Sequence, residues 1–350
     1  MGFQRFLVLA IAFTNTLIAA DLCDSIRALV RTEWQRQSIP AISVAIIKDN
    51  RIVCSIAVGT ADLEQGLSNT VKSRHRLASL SKPISAVITL RLVEEGKIAL
   101  ADPVRKFVPS LPPGYTPVTI RHLLSHQSGI REYAGLDEVF STRNYGSLEA
   151  AALSIFAKSP LLFEPGSKTA YTTFGYTLLG AALERATGQS FKQILEARLP
   201  KIVLDDYLAL TSDRVRPYRK TTSGAWENAP AFDASNKYSG GGMVSSATDY
   251  ADFLIQLSTG RLIRPETVQE MWTPQKLSDG SPVAFATLGW ATGYRGAHRF
   301  VTHGGLQPGT TTVMHWFPGL RAGSVVLSNA EGPDLDELQE RILKQVIGPK

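Results

Sequence analysis

The stretch "RLASLSKPISAVITL", residues 76–90, places Ser79 and Lys82 three positions apart, just ahead of a long apolar run. If a helix opens here, residues at that spacing share one face and can touch. Two readings follow. The pair is either two solvated polar residues at a helix start, or a nucleophile and the base that activates it. A serine hydroxyl is a poor nucleophile at neutral pH and needs a base to take its proton. A lysine can do so where burial or a neighbouring cation keeps part of it neutral. The free backbone N–H groups of a helix start can stabilise a developing oxyanion. Pro83 fits a first turn, where its missing N–H costs nothing. Alone, S-x-x-K decides nothing, since a capping serine followed by an exposed lysine is the ordinary case.

Outward from this point the chain divides by pattern. Upstream, "DLCDSIRALVRTEWQRQ" has the helical spacing of Ile26, Leu29, Val30 and Trp34. In "AISVAIIKDNRIVCSIAVGTADLEQG", two runs rich in Val, Ile and Ala flank Lys48-Asp49-Asn50-Arg51, which predicts a β-hairpin. Downstream, "FATLGWAT", "RFVTHGG", "TTTVMHWFP" and "GSVVLSNA" read as strands, and "DLDELQERILKQVI" closes the chain as an amphipathic helix. Residues 79–275 between these ends read as mainly helical, with the first helix stopping near Gly96. The expected fold is α+β: an antiparallel sheet built from both chain ends and flanked by helices, with a large, mainly helical insertion. The sheet lobe takes about 21–78 and 276–350, and the helical lobe about 79–275. Ser79 falls on the boundary, where a substrate cleft is expected.

Composition excludes several classes. The 350 residues are 44% hydrophobic and 19% charged, as in an ordinary globular protein. The net charge of +6 is scattered, without the basic runs of a nucleic-acid binder. "MGFQRFLVLAIAFTNTLIAA", residues 1–20, has one cation, a short apolar stretch and small Ala20, and reads as a cleaved export signal. The stretch is too short to span a bilayer comfortably, so no integral span is expected after its removal. An uncleaved anchor is the rival reading. The mature protein, residues 21–350, is expected in the periplasm or secreted. Cys23 and Cys54 are too few for a disulfide scaffold, and are either one bridge or two free thiols. His298 and His303 lack an accompanying carboxylate or H-E-x-x-H helix, so neither metal nor cofactor is expected. The oligomeric state is not readable.

Five blocks now occur in order: the stretch from Arg76, "TIRHLLSHQSGI", "FEPGSKTAYTTFGYTLLGAALERATGQSF", "YSGGGMVSSATDYADF" and "THGGLQPGTTT". Together they resemble the β-lactamase and penicillin-binding-protein-like serine hydrolases, a family that includes class C β-lactamases, D-Ala carboxypeptidases and esterases. The "YTTFGY" run and the glycine triplet look most like its mitochondrial serine β-lactamase-like branch and bacterial relatives. The resemblance implies that Ser79 and Lys82 are the family's S-x-x-K pair. It further implies that Tyr171 matches the tyrosine of Y-x-N, as a phenol or phenolate hydrogen-bonded to Lys82. Thr173 stands where that motif has asparagine, leaving a hydroxyl but no amide for the substrate. His303-Gly304-Gly305 matches the H-x-G or K-T-G strand, with Gly305 letting a substrate lie against the strand edge. The N–H of Leu306, with that of Ser79, is then expected to form the oxyanion hole, and His303 to be only partly charged. His122 and His126 are expected to cap a helix and brace a loop. Gly240, Gly241 and Gly242 are expected to form a tight backbone passage.

The functional expectation is an exported serine hydrolase that forms an acyl-enzyme on Ser79 with peptides or esters. The alternatives are a β-lactamase or D-Ala-D-Ala carboxypeptidase of the same fold, and an inactive pseudoenzyme that binds a peptide or cell-wall fragment.

Overall fold

The hairpin forms where the turn residues place it. Strands β1 (Ala41–Lys48) and β2 (Arg51–Asp62) pair antiparallel, with Asp49 and Asn50 between them at φ 52° and 56°. Two successive left-handed residues make the twisted turn that suits a tight hairpin, and Asp and Asn tolerate that region well. The computed structural model describes residues 21–206, 208–283 and 286–348, so the leader expected over 1–20 lies outside them.

Further strands are β3 (Leu67–Ser68), β4 (Ala291–Arg295), β5 (His298–Gln307), β6 (Thr310–Phe317) and β7 (Ala322–Ser328). They complete a seven-stranded antiparallel sheet in the order β3-β2-β1-β7-β6-β5-β4. The β1–β7 ladder, from Ile42 opposite Ser328 to Ile47 opposite Gly323, joins the two ends of the chain. Residues 41–47 are all buried, which accounts for an apolar run without alternation: helices cover both faces of this strand.

Five helices organise the layers: α1 (residues 21–37), α2 (Ser81–Glu94), α3 (Thr173–Thr187), α4 (Ala247–Ser258) and α5 (Leu335–Ile347). On one face, Ile26 and Val30 of α1 and Leu338 and Ile342 of α5 form a core with Ile42, Val44 and Val326 of the sheet. Cys23 of α1 and Cys54 of β2 are joined in a disulfide, which resolves the choice the sequence left open. The buried Glu33 carboxylate accepts from Arg36, Gln37 and Arg341, tying α1 to α5. Against the opposite face pack α4 and the helical layer containing α2 and α3. Helix α2 is buried nearly all round and ends just before Gly96 at φ 69°, the stop its sequence predicts.

One expectation needs an addition and another a correction. The segment expected to be mainly helical also carries short strands: Met243–Ser245 pairs with Val203–Leu204 and with His75–Arg76 just upstream of the segment, and Tyr218–Lys220 pairs with Trp226–Asn228. Strands of two or three residues are too short to show an alternating pattern. Within "FATLGWAT", whose Phe285 lies outside the described residues, residues 286–292 are not one strand. Gly289, at φ 85°, turns the chain against Ala86 of α2, and β4 starts only at Ala291. Among the described residues, no helix is long and apolar enough to cross a membrane.

Candidate active site

Ser79 sits in a 3-10 turn, Ala78–Leu80, that leads into α2. This turn is held from several sides. The Leu77 N–H donates to Met243 O at 2.8 Å, Thr312 Oγ1 donates to Leu77 O at 3.0 Å, and Tyr250 Oη donates to Leu80 O at 3.1 Å. Ala78 lies at φ 48°, a left-handed conformation that costs a non-glycine residue roughly 1–2 kcal/mol. Strain of this kind persists only where its surroundings over-determine it, and it clusters at functional sites.

Lys82 points back at the turn from the start of α2. Its Nζ donates to Gly240 O at 2.7 Å, to Ser79 Oγ at 3.0 Å and to Thr173 Oγ1 at 3.4 Å. The side chain is fully buried, and that burial lowers its pKa to about 7 against a smaller opposing pull from Glu132. Near neutrality a large share of Lys82 is therefore an uncharged amine in contact with Ser79.

Tyr171 completes the trio, although not as the motif implied. Its hydroxyl donates to Ser79 Oγ at 2.7 Å, and Lys82 Nζ lies over its ring, 4.7 Å from the centroid. Burial raises its pKa above the usual tyrosine range, an effect the bond to Ser79 only partly offsets. Tyr171 is therefore a phenol at rest, not a phenolate. His126, half-buried and at φ 58°, backs it with ring centroids 4.4 Å apart and accepts the Thr172 N–H on Nδ1 at 3.1 Å. His122 Nδ1 accepts the Thr119 N–H in a capping box. Both histidines take the bracing parts expected of them.

Thr173 lies on the Lys82 side, not in the wall of the cavity that opens at Ser79. It is buried at the first turn of α3, its hydroxyl on Lys82 and its N–H on the Glu132 carboxylate. A threonine side chain is too short to reach past Lys82 as asparagine would. Gly305 is needed for a different reason from the one expected. A Cβ there would lie 2.7 Å from Leu77 O and 3.0 Å from Ala78 Cβ, and would also strike Thr312 Oγ1. The glycine thus lets β5 close on the nucleophile turn. We expect Gly305→Ala to displace that turn, lower kcat by tenfold or more, and cost about 1–3 kcal/mol in a thermal melt. The triplet 240–242 is a close passage as expected, with a Cβ on Gly240 falling 3.0 Å from Tyr176 Cβ.

A cavity of about 460 Å³ opens at Ser79 and Tyr171, lined also by His303, Gly304, Gly305, Leu306, Asp334 and Asp336. Strand β4 pairs with β5 only as far as Thr302, which leaves 303–307 without a strand partner on that side. The Leu306 side chain is exposed there. Burial, assisted by Lys82, lowers His303 to about 4, and its Nδ1 lies 2.6 Å from Gly304 O. His303 is therefore neutral near pH 7 rather than partly charged. Sequence reasoning missed Glu132 and Lys237. Neither lies in a recognisable motif, and only the folded chain brings them near Lys82.

A family model described as Beta-lactamase matches residues 26–347. The mitochondrial serine beta-lactamase-like protein LACTB of Homo sapiens is 25% identical over 410 aligned residues, covering 92% of this chain and 75% of that protein. Esterase EstB of Burkholderia gladioli is 34% identical over 198 residues, 52% of this chain and 50% of the esterase. Among solved structures, the D-amino acid amidase of Ochrobactrum anthropi SV3, complexed with L-phenylalanine amide, superposes with a TM-score of 0.79. That match has 22% identity and covers 93% of this chain and 98% of the amidase. With one family model spanning nearly all of its described residues, the chain belongs to the beta-lactamase family and is a serine hydrolase of the β-lactamase and penicillin-binding-protein type.

Proposed function

We propose that the protein hydrolyses small esters and amides through an acyl-enzyme on Ser79. The observation that carries this reading is the contact of Ser79 Oγ with both Lys82 Nζ, at 3.0 Å, and Tyr171 Oη, at 2.7 Å, in the wall of an open cavity. Neutral Lys82 takes the hydroxyl proton as Ser79 Oγ bonds to the substrate carbonyl carbon. The N–H groups of Ser79 and Leu306 hold the oxyanion, each worth on the order of 3 kcal/mol. As the bond from the carbonyl carbon to the leaving oxygen or nitrogen breaks, the Tyr171 phenol gives that atom its proton and is reprotonated from Lys82 by way of Ser79 Oγ, which both groups touch. Water then attacks the acyl ester with Lys82 as base, and Ser79 recovers its proton.

Charge narrows the substrate class. Among the described residues, the cavity lining contains two aspartates, a neutral histidine and no Lys or Arg. A carboxylate on the substrate finds no cation there, so β-lactams and D-Ala-D-Ala peptides are disfavoured. Labelling by a fluorophosphonate, with the modified peptide mapped by mass spectrometry, tests the nucleophile. We expect the label on Ser79, and turnover of p-nitrophenyl acetate at least tenfold above that of a p-nitrophenyl ester bearing a carboxylate. A label elsewhere, or preference for the anionic ester, contradicts the proposal.

We further infer export to the periplasm or medium. The leader pattern supports this, as does the disulfide, because such bonds persist in oxidising compartments. Cys23 and Cys54 should then both resist alkylation in protein recovered, unreduced, from that compartment.

A further inference from the structure

Lys237 has no part in the scheme above, yet it lies in the same interior. Its side chain is 4% exposed, with Nζ 3.3 Å from Val139 O, 4.1 Å from the Phe232 ring centroid and 5.5 Å from that of Tyr133. One short turn holds both buried lysines. The Lys237 carbonyl accepts the N–H groups of Gly240 and Gly241, and the Gly240 carbonyl accepts Lys82 Nζ. Glu132 approaches from the other side: its carboxylate takes the Thr173 N–H, and the Thr173 hydroxyl takes Lys82. The charge of Glu132 favours protonation of both amines.

We infer that Lys237 and Glu132 are positioning residues for acylation: with Lys82 they form two amines around one carboxylate, and this balance decides how readily Lys82 gives up its proton. The inference rests on the assignment of Ser79 and Lys82 above. Other groups near this trio are already committed. Facing Lys82 are the phenols of Tyr171 and Tyr176 and the histidines 126 and 303, whose pKa values burial drives below the usual range. Facing Lys237 are Arg76, paired with Asp205 at 2.8 Å, and Asp233, which accepts from Asn144 and the Ser235 N–H. Burial brings Lys237 itself down to about 7, with help from Arg76 and Lys82. The repulsion from Lys82 that lowers Lys237 is reciprocal, so a proton on either amine opposes a proton on the other.

The test is the pH dependence of the p-nitrophenyl acetate acylation burst between pH 5.5 and 9.5, with fluorophosphonate labelling at pH 9 as the control for folding. Lys237→Met removes the competing cation, so the midpoint should rise by about half to one pH unit. The rate should fall three- to tenfold at pH 6 and recover by pH 9. Glu132→Gln removes the counter-charge and should lower the midpoint by a similar amount. Lys237→Arg keeps the cation and should leave the midpoint at or below that of the parent. Shifts of Lys237→Met and Glu132→Gln in opposite directions support the inference. Unmoved midpoints, or shifts in the same direction, overturn it. If Lys237→Met does not fold, Glu132→Gln, whose site is partly exposed, decides alone. Failure of the parent to label on Ser79 at any pH defeats the nucleophile assignment and this inference together, whereas normal labelling with unmoved midpoints defeats only this inference.

Discussion

Ser79→Ala is expected to abolish fluorophosphonate labelling and lower kcat for p-nitrophenyl acetate by at least ~1,000-fold. Without the hydroxyl no acyl-enzyme forms, and only substrate binding and the oxyanion donors remain to help water attack. The variant should still fold. Ser79 is half-buried, and Lys82 keeps its contacts with Gly240 O and Thr173 Oγ1. The melting temperature should therefore stay close to that of the parent. A variant that melts normally and retains more than a tenth of the parent rate would show that the nucleophile is elsewhere.

Why this serine could be picked out in advance is a matter of scale. The hairpin turn at Asp49-Asn50, the stop at Gly96 and the amphipathic C-terminal helix are local features, each encoded by a few adjacent residues. The long strands at the two ends had patterns strong enough to read, and their antiparallel pairing across β1 and β7 followed from one core needing both. S-x-x-K is local too, because three residues of turn or helix bring its ends together. What stayed hidden depends on pairs far apart in sequence. Thr173 looked like a substrate contact because its motif position is known; its actual partner is decided by where Lys82 ends up, 91 residues earlier in the chain. The glycine at 305 was recognisable, but its purpose was not, since the atoms that exclude a side chain belong to Leu77 and Ala78. Glu132 and Lys237 carried no signal at all.

Electrostatics separates the amine and the phenol of the site. Burial acts on Lys82 and Tyr171 in opposite senses, because it disfavours the charged form of each. The amine loses its proton more easily and the phenol holds its own more firmly. A neutral amine and a neutral phenol on one serine oxygen supply a base and an acid at the same pH, with no net charge to desolvate. Pairs of groups whose environments push their proton affinities apart are how one site carries out both steps.

Lys82→Met exposes what that arrangement costs the fold. Acylation should slow by at least ~100-fold, the scale of acid–base assistance, and the rise of the parent rate through pH about 7 should disappear with the amine. Stability should move the other way. A lysine held at about 7 in the folded state, but near 10.4 when unfolded, binds fewer protons folded than unfolded between those values. Its penalty is therefore present in full below pH 7 and fades as pH climbs toward 10. That penalty is on the order of 4 kcal/mol at pH 7, less roughly 2 kcal/mol for the hydrogen bonds Lys82 makes. The methionine variant should thus be about 2 kcal/mol more stable than the parent in urea at pH 7, with the gap closing at about pH 9 and the order reversing by about pH 10, where only the lost hydrogen bonds count. A variant less stable than the parent at every pH would mean that Lys82 is charged in the folded protein and paired with Glu132. Acylation would then need a base other than the Lys82 amine.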